Sequence, residues 1–251
     1  MRKRLPNIFV FLLATTYIAA LAQAPEAEWS YSGANGPENW ANLSRTYHDC
    51  SWGHTQSPID IWGATKTSLP AIQFEYRDAP LRIVNNGHTI QINYAPGSQI
   101  VVGGKKYQLL QFHFHRPSEE HVRGQAYDMT LHLVHADDRG KLAVVAVLMT
   151  HGPTNQTLQK IWAHLPNTKG QEQQFSSVTI NAAALLPKAI GYYTFMGSLT
   201  TPPCSEGVTW FVLKTPTEIS PEQISVFANI YPHNARPIEP TGLRTISESE
   251  F

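Results

Sequence analysis

The sequence predicts a single, mainly β domain with a few short helices at its surface. Short segments in which apolar and polar residues alternate recur along the chain, and Asn, Asp, Gly and Pro turns separate them, as is typical of half-buried strands. Helical periodicity is confined to three short segments, and no repeat or linker divides the 251 residues. One sheet-dominated domain can account for a chain of this length.

The composition argues against two classes of partner. Hydrophobic residues make up 42% of the chain and charged residues 15%, and Lys+Arg equals Asp+Glu at 19 each. A formal net charge of zero offers no electrostatic basis for binding nucleic acid or an anionic membrane surface. We therefore expect neither as a partner.

Residues 1–22 are predicted to be a secretory signal peptide. Residues 2–4 are basic, residues 8–20 are mostly apolar, and small residues precede the predicted cleavage site. Cleavage after Ala24 is less favoured because a proline would follow the cut, and an uncleaved anchor is disfavoured because the apolar stretch is short. The mature domain would be residues 23–251, located in the periplasm or secreted, with no membrane attachment.

Two cysteines, Cys50 and Cys204, are the only pair in the chain. Because exported compartments oxidise such pairs, we expect a disulfide. It would close a loop of roughly 150 residues, for which the chain-entropy model gives about 5 kcal/mol. The alternative is two free thiols that lie apart in space.

The predicted elements follow the alternation pattern. Strands are expected at 72–76, 81–84, 88–94, 99–102, 105–115, 129–135, 142–149 and 208–213, and helices at 157–163, 181–186 and 221–230. Ser220 and Gln223 form a capping box at the start of the last helix, and Pro221 suits its first position. Residues 247–251 are expected to fray.

A histidine pattern on two of these strands indicates a metal site. His113 and His115 alternate with two phenylalanines, so they share one face and lie about 7 Å apart along the strand. His132 lies between leucines on a second apolar strand and can complete a three-nitrogen set. Three neutral imidazoles that leave one position open are typical of catalytic zinc. The alternative is that these histidines only form hydrogen bonds in the core, as we expect of His135, which lies an odd number of positions from His132 and so faces away from it.

Several separated motifs occur in the order found in one enzyme family. They are Asn-Gly-Pro-Glu-Asn-Trp at 35–40, Gln-Ser-Pro-Ile-Asp-Ile at 56–61, Asn-Asn-Gly-His at 85–88, Gln-Phe-His-Phe-His at 111–115, Ser-Glu-Glu-His at 118–121, Leu-His-Leu-Val-His at 131–135 and Gly-Ser-Leu-Thr-Thr-Pro-Pro at 197–203. With these motifs the chain resembles the α-class carbonic anhydrases, specifically the exported bacterial type, from about residue 29 to residue 244.

This resemblance implies a large, mostly antiparallel, twisted central sheet and the reversible hydration of carbon dioxide to bicarbonate and a proton. Zinc-bound hydroxide would attack the small-molecule substrate, carbon dioxide. The protein would be a monomer or a dimer. By position, His113, His115 and His132 match the zinc ligands, and His88 matches the histidine that exports the proton.

The resemblance also implies roles for the surrounding residues. Thr200 matches the hydroxyl that orients the hydroxide, Glu120 the carboxylate behind it, and Thr201 a neighbour of the product. The other matching positions are the apolar wall of Val134, Val144, Leu199 and Trp210, the outer partners of the ligands Gln111, Thr130 and His121, and the disulfide Cys50–Cys204 next to the Thr200 loop.

Two positions depart from the family pattern. Thr130 stands where a glutamate generally supports the third ligand, which predicts weaker zinc binding unless another carboxylate compensates. Phe195 replaces a common tyrosine and removes a hydroxyl from the network expected around His121.

Two other functions remain possible from the sequence. His113, His115 and Glu119 match the opening of a cupin metal motif, which would indicate iron or manganese, but the glycine expected after the glutamate is absent. A binding module derived from the carbonic anhydrase fold would typically lack one of the three ligand histidines, and here all three positions are filled.

Overall fold

The computed structural model describes residues 27–251. The predicted signal peptide, residues 1–22, lies outside the described residues. In the described part, no helix is both long and apolar enough to cross a membrane.

Strands dominate the described part of the chain. They are β1 (Asp60–Ile61), β2 (Thr65–Thr67), β3 (Gln73–Glu75), β4 (Ala79–Asn85), β5 (Ile90–Asn93), β6 (Gln99–Val102), β7 (Lys105–His115), β8 (His121–Val122), β9 (Met129–Ala136), β10 (Leu142–His151), β11 (Gln173–Ile180), β12 (Tyr192–Ser198), β13 (Glu206–Leu213), β14 (Thr217–Ile219) and β15 (Ser247–Ser249). The helices are α1 (Trp40–Leu43), α2 (Asp49–Trp52), α3 (Gln156–Trp162) and α4 (Pro221–Ala228).

One large sheet contains thirteen of the strands that the structure describes. Its main path runs β11-β4-β5-β7-β9-β10-β13-β12-β15-β2, with β3, β6 and β14 paired beside it. Strand β10 pairs in parallel with β13 and β14, and β15 pairs in parallel with β2, whereas the other neighbours are antiparallel. The predicted mainly β fold with a mostly antiparallel central sheet is confirmed.

The register of β7 and β9 determines which side chains share a face. His113 pairs with His132, and Phe112 pairs with Leu133. Because alternate residues point to opposite faces, the histidines lie on one face and the apolar residues on the other. Phe112 and Leu133 are fully buried in the main hydrophobic core.

Two of the predicted helices cover that core. The capping box of Ser220 and Gln223 is present at the start of α4. The Trp162 ring of α3 lies 4.9 Å from the Phe114 ring of β7, so the helix closes the apolar face of the sheet. The segment predicted at 181–186 forms a 3₁₀ turn, Ala182–Leu185, instead of an α-helix.

The C-terminus is not frayed, which corrects the expectation from sequence. Strand β15 pairs with β12 on one side and β2 on the other. The buried Ser249 hydroxyl accepts a hydrogen bond from the backbone N–H of Tyr192 at 2.9 Å. Backbone pairing stabilises this segment, and a run of polar residues does not reveal such pairing.

Candidate metal centre

Each of the three predicted ligands uses one ring nitrogen to bind an acceptor in the protein. His113 Nδ1 donates to the side-chain oxygen of Gln111 at 2.8 Å, and His115 Nδ1 donates to the backbone oxygen of Asn234 at 2.7 Å. His132 Nε2 donates to the Glu120 carboxylate at 2.8 Å. Such bonds select the tautomer of each ring and leave the lone pair on the opposite nitrogen.

The remaining nitrogens converge. Ligand atoms of His113, His115 and His132 all lie within 4.8 Å of one another. His115 Nε2 is buried and has no hydrogen-bond partner among the described residues. A buried acceptor without a partner is costly unless something binds it, and imidazole nitrogens favour zinc and related transition metals. The residues therefore fit a metal ion.

Burial keeps two of the rings neutral. It lowers the pKa of His113 to about 3 and that of His115 well below its usual value, and the neighbouring His132 adds to both shifts. Burial also lowers the pKa of His132, but the Glu120 and Glu119 carboxylates outweigh it and the net pKa is raised. Neutral imidazoles are the ligand form of histidine.

The two consecutive glutamates have different partners, which corrects the expectation for Glu120. Glu120 contacts His132, whereas Glu119 interacts with the Thr200 side chain and accepts the backbone N–H of Arg236 at 2.8 Å. Burial raises the pKa of Glu119 to about 7, against the lowering effects of His132, Arg236 and Thr200. Glu119, expected from the sequence only as a ligand in the cupin alternative, is therefore the carboxylate next to Thr200.

The other expected outer partners differ in what they contact. Gln111 binds His113 as described. Thr130 is fully buried, and its hydroxyl has no hydrogen-bond partner in the described part of the chain. His121 opens β8, is only partly buried, and its backbone N–H donates to Ile59. Phe195 stacks on Trp210, so its ring makes an apolar contact at the position where a tyrosine hydroxyl was expected.

An apolar wall lies on the histidine face of the sheet. Val144 pairs with Val134 across β9 and β10, and with Trp210 across β10 and β13. Val144 and Trp210 belong to one buried hydrophobic cluster, against which the partly buried Val134 and Leu199 pack. The Trp210 and His132 rings are 5.0 Å apart. The structure thus brings the four predicted wall residues together beside the ligands.

The Cys50–Cys204 disulfide is present and holds the loop that carries Thr200. The backbone N–H of Cys204 donates to Thr201 at 2.8 Å, and that of Leu199 donates to Ser205 at 3.0 Å. Thr200 is 5% exposed, while Thr201 is partly exposed. The bridge therefore attaches this short loop to α2.

His88 lies in the turn before β5 and not in the strand as predicted. Its ring stacks on Trp29 at 3.6 Å between centroids, and burial together with Lys169 lowers its pKa. Asn234 donates to the His88 backbone oxygen at 3.0 Å and accepts from His115, so one residue joins this turn to a ligand. Sequence reasoning missed Asn234, an isolated asparagine in an irregular segment without periodicity.

A cavity of about 570 Å³ opens beside His88. Trp29, Tyr31, Lys169 and Tyr231 contribute to its lining. His88 therefore borders this cavity, and its backbone oxygen binds Asn234, the residue that also accepts from His115.

Comparison with known proteins identifies the family. The family model described as eukaryotic-type carbonic anhydrase matches residues 35–250. A carbonic anhydrase from Nostoc sp. is 40% identical over 256 residues, covering 99% of this chain and 97% of that protein. One from Neisseria gonorrhoeae is 42% identical over 241 residues, covering 95% of each chain.

A solved structure of a carbonic anhydrase has the same fold as this protein. The α-carbonic anhydrase of Thermovibrio ammonificans, solved with the inhibitor sulfanilamide, superposes with a TM-score of 0.85 at 42% identity and covers 88% of this chain and 99% of that one. Because both the sequence match and the superposition extend over most of the chain, this protein belongs to the α-class, or eukaryotic-type, carbonic anhydrase family.

Proposed function

We propose that the protein catalyses the zinc-dependent, reversible hydration of carbon dioxide to bicarbonate and a proton, with His113, His115 and His132 as the zinc ligands. The observation that carries this proposal is the convergence of three ring nitrogens whose opposite nitrogens are all bound by the protein. Zinc held there would supply a Lewis acid that makes water nucleophilic near neutral pH, as is established for carbonic anhydrases in general.

The apolar wall suits carbon dioxide. The substrate is uncharged and apolar, so a surface of Val134, Val144, Leu199 and Trp210 binds it without desolvating a charged group. The same wall offers bicarbonate no polar partner, which favours release of the charged product. Thr201, partly exposed at the loop, is the neighbouring polar group available to the product.

Thr200 and Glu119 would orient the nucleophile. A carboxylate only accepts hydrogen bonds, so a Thr200 hydroxyl that donates to Glu119 has its lone pairs left to accept a proton from the reacting group. Arg236 donates its backbone N–H to Glu119 and holds the carboxylate in place. This pair takes the role that the family resemblance implied for Thr200 and Glu120.

His88 would carry the proton out. Imidazole is the side chain that exchanges protons in the neutral range, and His88, whose pKa burial and Lys169 lower, is partly exposed beside the cavity of Trp29 and Lys169. Its ring stacks on Trp29 and forms no side-chain hydrogen bond among the described residues, so both ring nitrogens remain available for proton exchange.

The cupin alternative is disfavoured by the position of Glu119. Its Oε1 accepts the backbone N–H of Arg236 and lies 3.4 Å from His115 Nδ1, the nitrogen that already binds Asn234. Its Oε2 lies 3.9 Å from His132 Nδ1, but the group of converging ligand atoms among the described residues comprises the three histidines without Glu119. A non-enzymatic binding module is disfavoured because none of the three ligand positions is vacant.

The test compares two buried histidines of strand β9. His132→Gln should lose zinc and carbon dioxide hydration, whereas His135→Gln should keep both, because His135 contacts Tyr76 and the Ala143 backbone on the opposite face. Zinc content and hydration rate are measured before and after chelation and after zinc is restored. Hydration that survives chelation, or an active zinc-free His132→Gln protein, would exclude the proposed function.

A further inference from the structure

We infer that Glu120 is the positioning carboxylate of the third zinc ligand, and that it replaces the carboxylate missing at Thr130 on strand β9. The inference rests on the proposed zinc site. Glu120 lies in the loop that precedes β8, whereas Thr130 lies on β9, the strand that carries His132 itself.

The contacts of Glu120 point to a single role. Its Oε1 accepts from His132 Nε2 at 2.8 Å, and its carboxylate is fully buried. The other oxygen, Oε2, has no hydrogen-bond partner among the residues that the structure describes. Burying a carboxylate is costly without compensation, and the bond to His132 supplies that compensation.

Local backbone structure directs Glu120 toward His132. The Ser118 hydroxyl donates to the backbone oxygen of Glu120 at 2.9 Å and accepts the backbone N–H of Tyr127 at 2.8 Å. The next residue, His121, is already paired with Asp60 in the parallel pair of β8 and β1. Glu120 is therefore held from both sides and does not depend on the freedom of a loop.

Thr130 does not support His132 directly. It lies two residues before His132, so it shares the histidine face of β9, and it is fully buried. Its hydroxyl forms no hydrogen bond within the described part of the chain, and its side chain is short. A glutamate at 130 would point along this face toward the region that the Glu120 carboxylate occupies. A glutamate at either position 120 or position 130 could therefore supply the carboxylate that accepts from His132 Nε2.

A charged acceptor on Nε2 should matter for the metal. It selects the tautomer with the lone pair on Nδ1 and increases the basicity of that nitrogen, and disturbing such partners typically costs about 10–100-fold in metal affinity or activity. Glu119 does not substitute for it, because its Oε2 lies on the Nδ1 side of His132, at 3.9 Å.

The experiment is a double-mutant cycle. Glu120→Ala should accelerate zinc loss to a chelator by about 10–100-fold, and Glu120→Gln, which keeps a neutral acceptor, by less. Thr130→Glu alone should lower the melting temperature, because it buries a further carboxylate beside Glu119 and Glu120. Glu120→Ala combined with Thr130→Glu should restore slow zinc loss, which a merely structural role for Glu120 would not predict.

A second readout does not need zinc. Nitrogen NMR of the metal-free protein, recorded at a pH above the raised pKa of His132 so that the ring is neutral, should show His132 protonated at Nε2 in the wild type and a mixture of tautomers in Glu120→Ala. Unchanged zinc loss and an unchanged tautomer in Glu120→Ala, or no rescue in a folded double variant, would overturn the inference. Wild-type protein that holds zinc without hydrating carbon dioxide would overturn the proposed function and leave the role of Glu120 intact.

Discussion

The two faces of strands β7 and β9 have the same backbone but opposite requirements. On one face Phe112, Phe114, Leu131 and Leu133 are all fully buried in the main hydrophobic core. On the other face His115, Thr130 and His132 are almost as deeply buried, with at most 1% exposed. An apolar side chain needs only close neighbours, whereas a buried imidazole also needs hydrogen-bond partners with defined geometry.

The two faces obtain their packing and hydrogen-bond partners from different parts of the fold. The apolar face is completed by adjacent strands and by α3, whose Trp162 packs on Phe114. The histidine face takes its partners from irregular segments, namely Asn234 for His115 and Glu120 for His132. We therefore expect substitutions on one face to affect mainly stability and those on the other mainly metal binding.

The largest expected effect is on the histidine face. His115→Ala should reduce carbon dioxide hydration by more than about 100-fold, the upper end of what outer partners of a metal contribute, because a ligand itself is lost. The melting temperature of the metal-free variant should stay close to that of the metal-free wild type. Zinc analysis and thermal unfolding measure the two quantities. A large fall in metal-free stability would contradict the separation of the faces.

The apolar face should show the reverse. Phe114→Ala should lower the free energy of unfolding by about 3–5 kcal/mol, because a large buried ring is removed and a cavity remains. The folded fraction should still bind zinc. Leu243→Ala is the control, since Leu243 is fully exposed and should change stability by less than about 0.5 kcal/mol. Denaturant titration with zinc analysis of the folded protein would test this.

The disulfide tests the same contrast, because it holds the Thr200 loop and lies in a small separate cluster instead of the main hydrophobic core. Replacing Cys50 and Cys204 together by serine should cost about 2–5 kcal/mol of stability. Reduction of the wild type should produce a similar shift, and the same treatment of the double variant should produce none. Hydration activity should fall as the Thr200 loop loosens. Equal stability of the oxidised and reduced wild type would show that the bridge contributes little.

The smallest effect is expected at the turn that carries His88. Burial, to which the stacked Trp29 ring contributes, and Lys169 lower its pKa, so Trp29→Ala should raise that pKa toward the usual 6.5. Proton NMR titration of the His88 ring would measure the change. Lys169→Gln should also raise the pKa, as a control that leaves the Trp29 ring in place.

The lowered pKa also fixes the sign of one contribution to acid stability. Between the lowered pKa and 6.5 the unfolded chain binds more protons at His88 than the folded chain does, so stability falls as the pH decreases through this interval. Trp29→Ala should weaken that dependence. A pH dependence that is identical in the variant would show that His88 does not contribute to it.

The sequence alone was sufficient for the features that depend on periodicity and caps. Alternation in β7 and β9 determines that His113 and His115 share a face opposite Phe112 and Phe114, whatever surrounds the strands. The capping box that begins α4 is equally local. The disulfide could be predicted because the chain has no other pair of cysteines.

The hydrogen-bond partners of the histidine face could be identified only from the tertiary structure. Glu119 and Glu120 are chemically identical neighbours in an irregular segment, and their directions depend on Ser118, Tyr127 and the pairing of β8 with β1. Asn234 reaches His115 across 119 positions of sequence. No periodicity relates such positions, because hydrogen bonds from loops depend on where the folded backbone brings them. A substitution at Thr130 could therefore be recognised from the sequence, but its partner at Glu120 could not.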